Sequence, residues 1–154
     1  ADARMPRFYW DITQAKNYLE RGQTPWTPAI SVMFAMDVAL DMMRKESSAN
    51  IFARHARVSK AAREGVKSLG LSPVADEKYA SNTVTAVWGK DTLDIKELRR
   101  ILREEYKIVL AGGQGKLDGK IFRIGHLGWV TENDIEKVKS ALKVTLPRAG
   151  FKGG

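Results

Sequence analysis

The chain has 154 residues, 44% of them hydrophobic and 29% charged, enough for one domain with a real core. It contains no cysteine, which excludes disulfides, iron–sulfur clusters and thiolate zinc sites and makes the cytoplasm the expected setting. Lys and Arg outnumber Asp and Glu by 26 to 18. That excess admits a nucleic-acid footprint or a plain solvated basic surface, and the scattering of cations among acids favours the second.

Ala1 to Tyr9 is basic and aromatic and lacks the apolar stretch of a signal peptide. Nothing before Phe8 resembles the opening of a domain, so a processed or truncated chain is expected. Phe8 to Ile12 reads as an extended run, and Thr13 to Arg21 as a brief helix or loop. Two prolines and a glycine between Gly22 and Pro28 forbid regular structure there. Thr27 suits an N-cap and Pro28 the first helical position. The helix they open, Pro28 to Lys45, is apolar almost all round, which predicts burial or a place between domains or subunits. Ser31, Asp37 and Asp41 interrupt it, and it is too short to span a bilayer. A break at Glu46 to Asn50 precedes a second helix, Ile51 to Leu69, closed by Gly70. Its expected inward stripe is Phe52, Ala56, Ala62, Val66 and Leu69. Arg54, Arg57, Lys60, Arg63 and Lys67 form a basic ridge that drifts around the helix, as a solvated face would.

Val74 to Ser81 is irregular, and Asn82 to Trp88 alternates like a strand. A turn at Gly89-Lys90-Asp91 leads to an amphipathic helix, Asp94 to Tyr106, with Ile95, Leu98, Ile101 and Leu102 inward. Lys107 to Ala111 reads as a strand closed by Gly112 and Gly113, Gln114 to Gly119 as a polar turn, and Lys120 to Gly125 as another strand. Thr131 and Asp134 suggest a capping box for a last helix to about Leu146, with Ile135, Val138, Ala141 and Leu142 inward. Pro147 to Gly154 reads as a frayed tail. Short strands joined by helices, with one tight β–β connection, describe a small mixed sheet with helices on one face.

The chemistry-bearing residues are few. The two histidines, His55 and His126, lie far apart and build neither a Ser-His-Asp triad nor a metal site, so no metal is expected. His55 fits a helix surface, and His126, after a strand, either lines a site or packs. Gly112-Gly113-Gln114-Gly115 matches neither a Walker loop nor a Rossmann loop. It either permits a tight turn or lets backbone pass close to a ligand. Arg123 lies in an apolar strand, where its planar fork suits either a ligand carboxylate or a structural ion pair. Thr24 and Thr27 flank a helix N-terminus, where free N–H groups and the positive dipole end favour phosphate. Alternatively, Thr27 only caps its helix.

Taken together, Phe8-Tyr9-Trp10-Asp11-Ile12, Thr24-Pro25-Trp26-Thr27-Pro28, Ala111-Gly112-Gly113-Gln114-Gly115 and Gly119-Lys120-Ile121-Phe122-Arg123-Ile124-Gly125-His126-Leu127-Gly128 resemble the class V aminotransferases. These are the serine–pyruvate and alanine–glyoxylate type enzymes of pyridoxal-phosphate fold type I, and order and spacing agree over nearly the whole chain. The resemblance implies an α/β (α+β) small C-terminal domain, with a mixed, mainly antiparallel sheet, helices on one face and a long apolar helix before it. It assigns residues 1–27 to a remnant of the large cofactor-binding domain and interface loop, 28–46 to an interface helix, and 47–154 to the small domain. It implies that Thr24 and Thr27 reach the pyridoxal 5′-phosphate of a neighbouring subunit in a homodimer. Arg123 would hold the substrate carboxylate, with Gly113 beside the substrate.

In that family the Schiff-base lysine stands shortly before the Phe-Tyr segment, and no lysine here occupies that place. The lysine is expected upstream of Ala1, leaving no catalytic residue in this chain. The chain would then be inactive without its N-terminal domain. The whole enzyme would move an amino group from a small amino acid to a 2-oxo acid such as pyruvate or glyoxylate. Some relatives are labelled soluble hydrogenase subunits, but a chain without cysteine cannot ligate nickel–iron or iron–sulfur centres through thiolates. Two other readings remain at this point: a basic nucleic-acid-binding module, and a stand-alone dimerisation or regulatory domain.

Overall fold

The computed structural model describes residues 4–90 and 92–152. The first three residues of the basic leader, Asp91 of the expected turn, and Gly153 and Gly154 of the expected tail lie outside them. The chain divides into two compact units, Ala1–Lys45 and Glu46–Gly154.

In the first unit the chain turns at Phe8 to Trp10 instead of extending. The Asp11 carboxylate accepts from the amides of Thr13 (2.9 Å) and Gln14 (3.3 Å), capping α1 (Ile12–Leu19). Trp26 gathers the aromatics, with the Phe8 ring at 4.7 Å and the Tyr9 ring stacked at 5.8 Å. Helix α2 (Ile30–Glu46) starts two residues later than the sequence suggests. Thr27 is therefore not its N-cap, because Pro28 and Ala29 stay outside the helix. No residue of α2 is buried. Its apolar sides, Val32 and Phe34 among them, stand 65% and 70% exposed.

In the second unit Ser47, at φ 72°, breaks the chain and caps α3 (Ser48–Ser68). The elements that follow are β1 (Ser72–Pro73), a 3-10 turn at Glu77–Tyr79, β2 (Val84–Trp88), α4 (Ile95–Tyr106), β3 (Ala111–Gly112), a 3-10 turn at Gly115–Leu117, β4 (Ile121–Gly125) and α5 (Glu132–Arg148). The four strands lie in the order β1-β2-β4-β3, every pair antiparallel. Thr85 faces Ile124 and Val87 faces Phe122 across β2 and β4. These four are buried beneath the helices with Val58, Val66, Leu98, Leu102 and Leu142. The same register puts Val84, Ala86, Trp88 and Arg123 on the opposite face.

Several boundaries differ from the sequence reading. The buried arc of α3 is Val58, Ser59, Ala62, Gly65 and Val66, while Phe52 and Ala56 point to solvent. Lys107 takes the left-handed conformation (φ 57°) and ends α4, so residues 107–110 are not strand and β3 has only two residues. The tail is not frayed at Pro147. Helix α5 runs through it to Arg148, the Ala149 carbonyl accepts from the Asp94 amide at 2.9 Å, and Phe151 is buried in the core. Pro147 lies inside the helix and brings no N–H to its ladder. Among the described residues no helix is long and apolar enough to cross a membrane.

Candidate substrate-binding site

Arg123 stands in β4, between Ala86 of β2 and Ala111 of β3 in register. Small neighbours on both sides leave room for a guanidinium on this face. Its Nε donates to the Gly112 carbonyl at 2.9 Å. No carboxylate among the described residues pairs with it, so the structural ion pair weighed for it does not form within them. A half-buried guanidinium anchored at Nε keeps both Nη groups for a planar anion, and the fork geometry suits a carboxylate.

Gly113 begins the β3–β4 hairpin, and its amide donates to the Ile121 carbonyl at 3.1 Å. A Cβ at this position would lie 1.9 Å from the Leu117 carbonyl oxygen. The turn itself therefore demands glycine. Gly113 and Arg123 are brought together by the β3–β4 pairing.

Thr24 and Thr27 share one cleft of about 320 Å³ in the first unit, lined also by Tyr9, Asp11, Trp26 and Pro28. Thr24 Oγ1 donates to the Trp26 carbonyl at 2.7 Å, while Thr27 is exposed. The exposed Thr27 hydroxyl is of a kind that suits a phosphate, while the Ile30 amide that opens α2 already bonds the Pro28 carbonyl at 2.9 Å. Thr24 fits a phosphate only after its hydroxyl turns away from Trp26. Among the described residues no group of His, Cys, Asp or Glu could hold a metal.

His126 is buried and structural. Nδ1 lies 3.2 Å from the Asn82 carbonyl, which can only accept, so Nδ1 carries the proton and Nε2 accepts from the Thr85 hydroxyl at 2.8 Å. Ser59 extends the string, donating to Asn82 Oδ1 at 2.9 Å. Burial pushes the His126 imidazole below its ordinary pKa, and the cationic side of α3, Arg63 and His55, adds to the effect. His55 is half-buried and bonds only its own helix, with Nδ1 2.8 Å from the Ile51 carbonyl.

The basic ridge of α3 is ion-paired throughout. Arg54 pairs with Glu46, Arg57 with Glu132, Lys60 with Glu64, and Arg63 and Lys67 share Glu77. Sequence reasoning overlooked Arg99 of α4. Its Nε donates to the Leu110 carbonyl at 2.8 Å, and its guanidinium lies under Gly112.

No family model matches the chain. Individual proteins do. It is 39% identical over 145 residues to an uncharacterized aminotransferase of Methanocaldococcus jannaschii, covering 94% of this chain and 38% of that protein. It is 38% identical to a serine–glyoxylate aminotransferase of Arabidopsis thaliana over 82% of this chain and 32% of the relative. A "soluble hydrogenase, small subunit" of a Synechococcus strain is also 38% identical, over 97% of this chain and 38% of its own length. Among solved structures, pyridoxamine–pyruvate aminotransferase from Mesorhizobium loti superposes with a TM-score of 0.82 at 38% identity, covering 92% of this chain and 37% of that one. Alanine–glyoxylate aminotransferase from Nostoc sp. reaches 0.86 at 28% identity, over 94% and 40%.

The fold is thus that of the C-terminal domain of a pyridoxal-phosphate-dependent transferase. By sequence and structure the homologues and neighbours of the chain are class V aminotransferases. It spans about 38% of the length of the first curated relatives it matches.

Proposed function

We propose that this chain is the substrate-binding C-terminal part of an aminotransferase that passes an amino group between a small amino acid and a 2-oxo acid such as pyruvate or glyoxylate. The observation that carries the reading is the Arg123 guanidinium, held at Nε by Gly112 and unpaired with any described carboxylate. Arg123 binds the substrate α-carboxylate, and Gly113 shapes the turn beside it. Thr27, with Thr24 after a hydroxyl rotation, holds the phosphate of the cofactor, which supplies the electron sink of the reaction when bound. The lysine for the covalent steps belongs to an N-terminal domain outside these residues.

In this reading residues 1–27 belong with that domain and its interface loop, 28–46 form the interface helix and 47–154 the small domain. The assembly is a cytoplasmic homodimer, and the exposed apolar flank of α2 supports a subunit interface. The chain without its N-terminal domain is inactive. The ion-paired ridge of α3 speaks against the nucleic-acid reading.

The test is Arg123→Ala in the full-length enzyme. Removal of a bidentate charge-assisted contact lowers kcat/KM for the amino donor by about 100-fold. An unchanged kcat/KM overturns the assignment.

A further inference from the structure

Two arginines without described acid partners converge on β3 and the residue before it. Arg123 reaches the Gly112 carbonyl from the open face of the sheet, and Arg99 reaches the Leu110 carbonyl from α4 on the helix face. Leu110 and Gly112 are two residues apart, so in an extended chain their carbonyls point the same way. Within the hairpin, the Gly113 amide bonds the Ile121 carbonyl. Beneath the strand, a Cβ on Gly112 would come within 2.8 Å of Arg99 Nη1. Glycine at 112 thus lets the Arg99 guanidinium lie directly against the backbone whose carbonyl anchors Arg123.

This strand is only two residues long. Few ladder bonds fix it, so the position of the Gly112 carbonyl depends on what grips the segment from either side. Arg99 is the grip from the helix layer. Its cost of burial is met by one backbone carbonyl and by packing, with no described carboxylate competing for its charge.

We propose that Arg99 is a positioning residue for the substrate carboxylate site. By holding the Leu110–Gly112 segment against α4, it sets the carbonyl that orients the Arg123 fork. The proposal rests on Arg123 being the carboxylate-binding residue. Arg99 touches no substrate, and all of its effect passes through β3 to Arg123.

The side chains available for substitution separate this from a merely structural role. In glutamine, Nε2 occupies the same place along the side chain as Nε of arginine. Methionine has a methyl group there. In the full-length enzyme, Arg99→Met raises KM for the amino donor about 10-fold and changes kcat by less than 3-fold, whereas Arg99→Gln stays within about 3-fold of the parent in both. Adding Arg99→Met to Arg123→Met costs nothing beyond Arg123→Met alone, because the two act on one contact. If Arg99→Met does not fold, Arg99→Lys serves instead. Its ammonium sits one bond beyond the Nε place, and it too raises KM. An unchanged KM in the folded Arg99 variant, or full additivity in the double variant, overturns the proposal. If Arg123→Met itself leaves KM unchanged, it is the carboxylate assignment that fails, whatever Arg99 does.

Discussion

Arg54 grips Glu46 with both arms of its fork: Nε reaches Oε1 at 2.6 Å and Nη2 reaches Oε2 at 2.8 Å. The remaining Nη1 donates to the carbonyls of Gly128 (2.7 Å) and Val130 (3.2 Å), while the guanidinium lies 5.4 Å from the Trp129 ring centre. Within the second unit, one side chain thereby ties Glu46 to the loop that follows β4. The hydrogen bonds from Arg54 hold the Glu46 carboxyl below the ordinary carboxylate range. Its contribution to stability is complete above the ordinary glutamate pKa and fades as pH falls through the depressed value. Glu46→Gln should lower the melting temperature at pH 7 and make little difference near pH 3. Arg54→Ala should lower it further at both pH values, since it also releases the 128–130 loop. Thermal melts at the two pH values check both outcomes.

His126 predicts a second acid-sensitive step, at higher pH. Its folded form resists protonation because burial and the nearby Arg63 and His55 disfavour a cation. Neutral His126 therefore contributes fully above its ordinary pKa of about 6.5. The contribution declines as pH drops from there toward the lowered folded value. His126→Leu leaves the Thr85 hydroxyl without its acceptor and costs about 1–3 kcal/mol at pH 7.5. The variant's stability should be flatter between pH 5 and 7 than the parent's in urea titrations. A parallel slope would show that another group titrates in that window.

Glycines of the hairpin differ in why they are needed, and substitution separates the reasons. Gly113→Ala drives a methyl group into the Leu117 carbonyl and should cost about 3 kcal/mol, as forced overpacking does. Gly115→Ala meets no atom within 4 Å and must adopt only a positive φ of 56°, which costs about 1–2 kcal/mol. Equal losses in chemical denaturation would mean that the turn relaxes around residue 113.

The α3 ridge should fail as a nucleic-acid surface. Its five cations all pair with carboxylates, Arg63 and Lys67 sharing Glu77, so one net positive charge is left on the ridge and little counterion release is available to drive binding. Gel shifts with duplex DNA and with RNA at 50 and 200 mM salt should show no retarded band at micromolar protein. A complex that forms at 50 mM and is lost at 200 mM would revive the basic-module reading.

Elements whose reasons are local were readable from the sequence. Ile95, Leu98, Ile101 and Leu102 are the buried positions of α4, because a three-four spacing leaves one possible inward face. Thr131 and Asp134 make both bonds of the capping box, since a spacing of three brings each side chain to the other's amide. Elements whose reasons are distant were not readable. The buried arc of α3 contains Ser59 and Gly65, which carry no hydrophobic signal and are buried by what packs on them. Ile108 and Val109 look like strand residues, yet only Ala111 and Gly112 find partners in β4. At the candidate site, Arg123 stood out as an arginine among apolar neighbours. Arg99 was indistinguishable from Arg100 and Arg103 on the same helix until the missing Cβ of Gly112 was seen to face it.

The sheet ends on both sides in strands of two residues, β1 and β3. On one border Pro73 brings no N–H to donate. On the other, the carbonyls of Leu110 and Gly112 are already taken by Arg99 and Arg123. A foreign strand arriving at either border finds too short a template and too few free partners to add itself. The two arginines of the proposed carboxylate site thus also occupy the outer acceptors of this border, so that association is left to helices and to the open face.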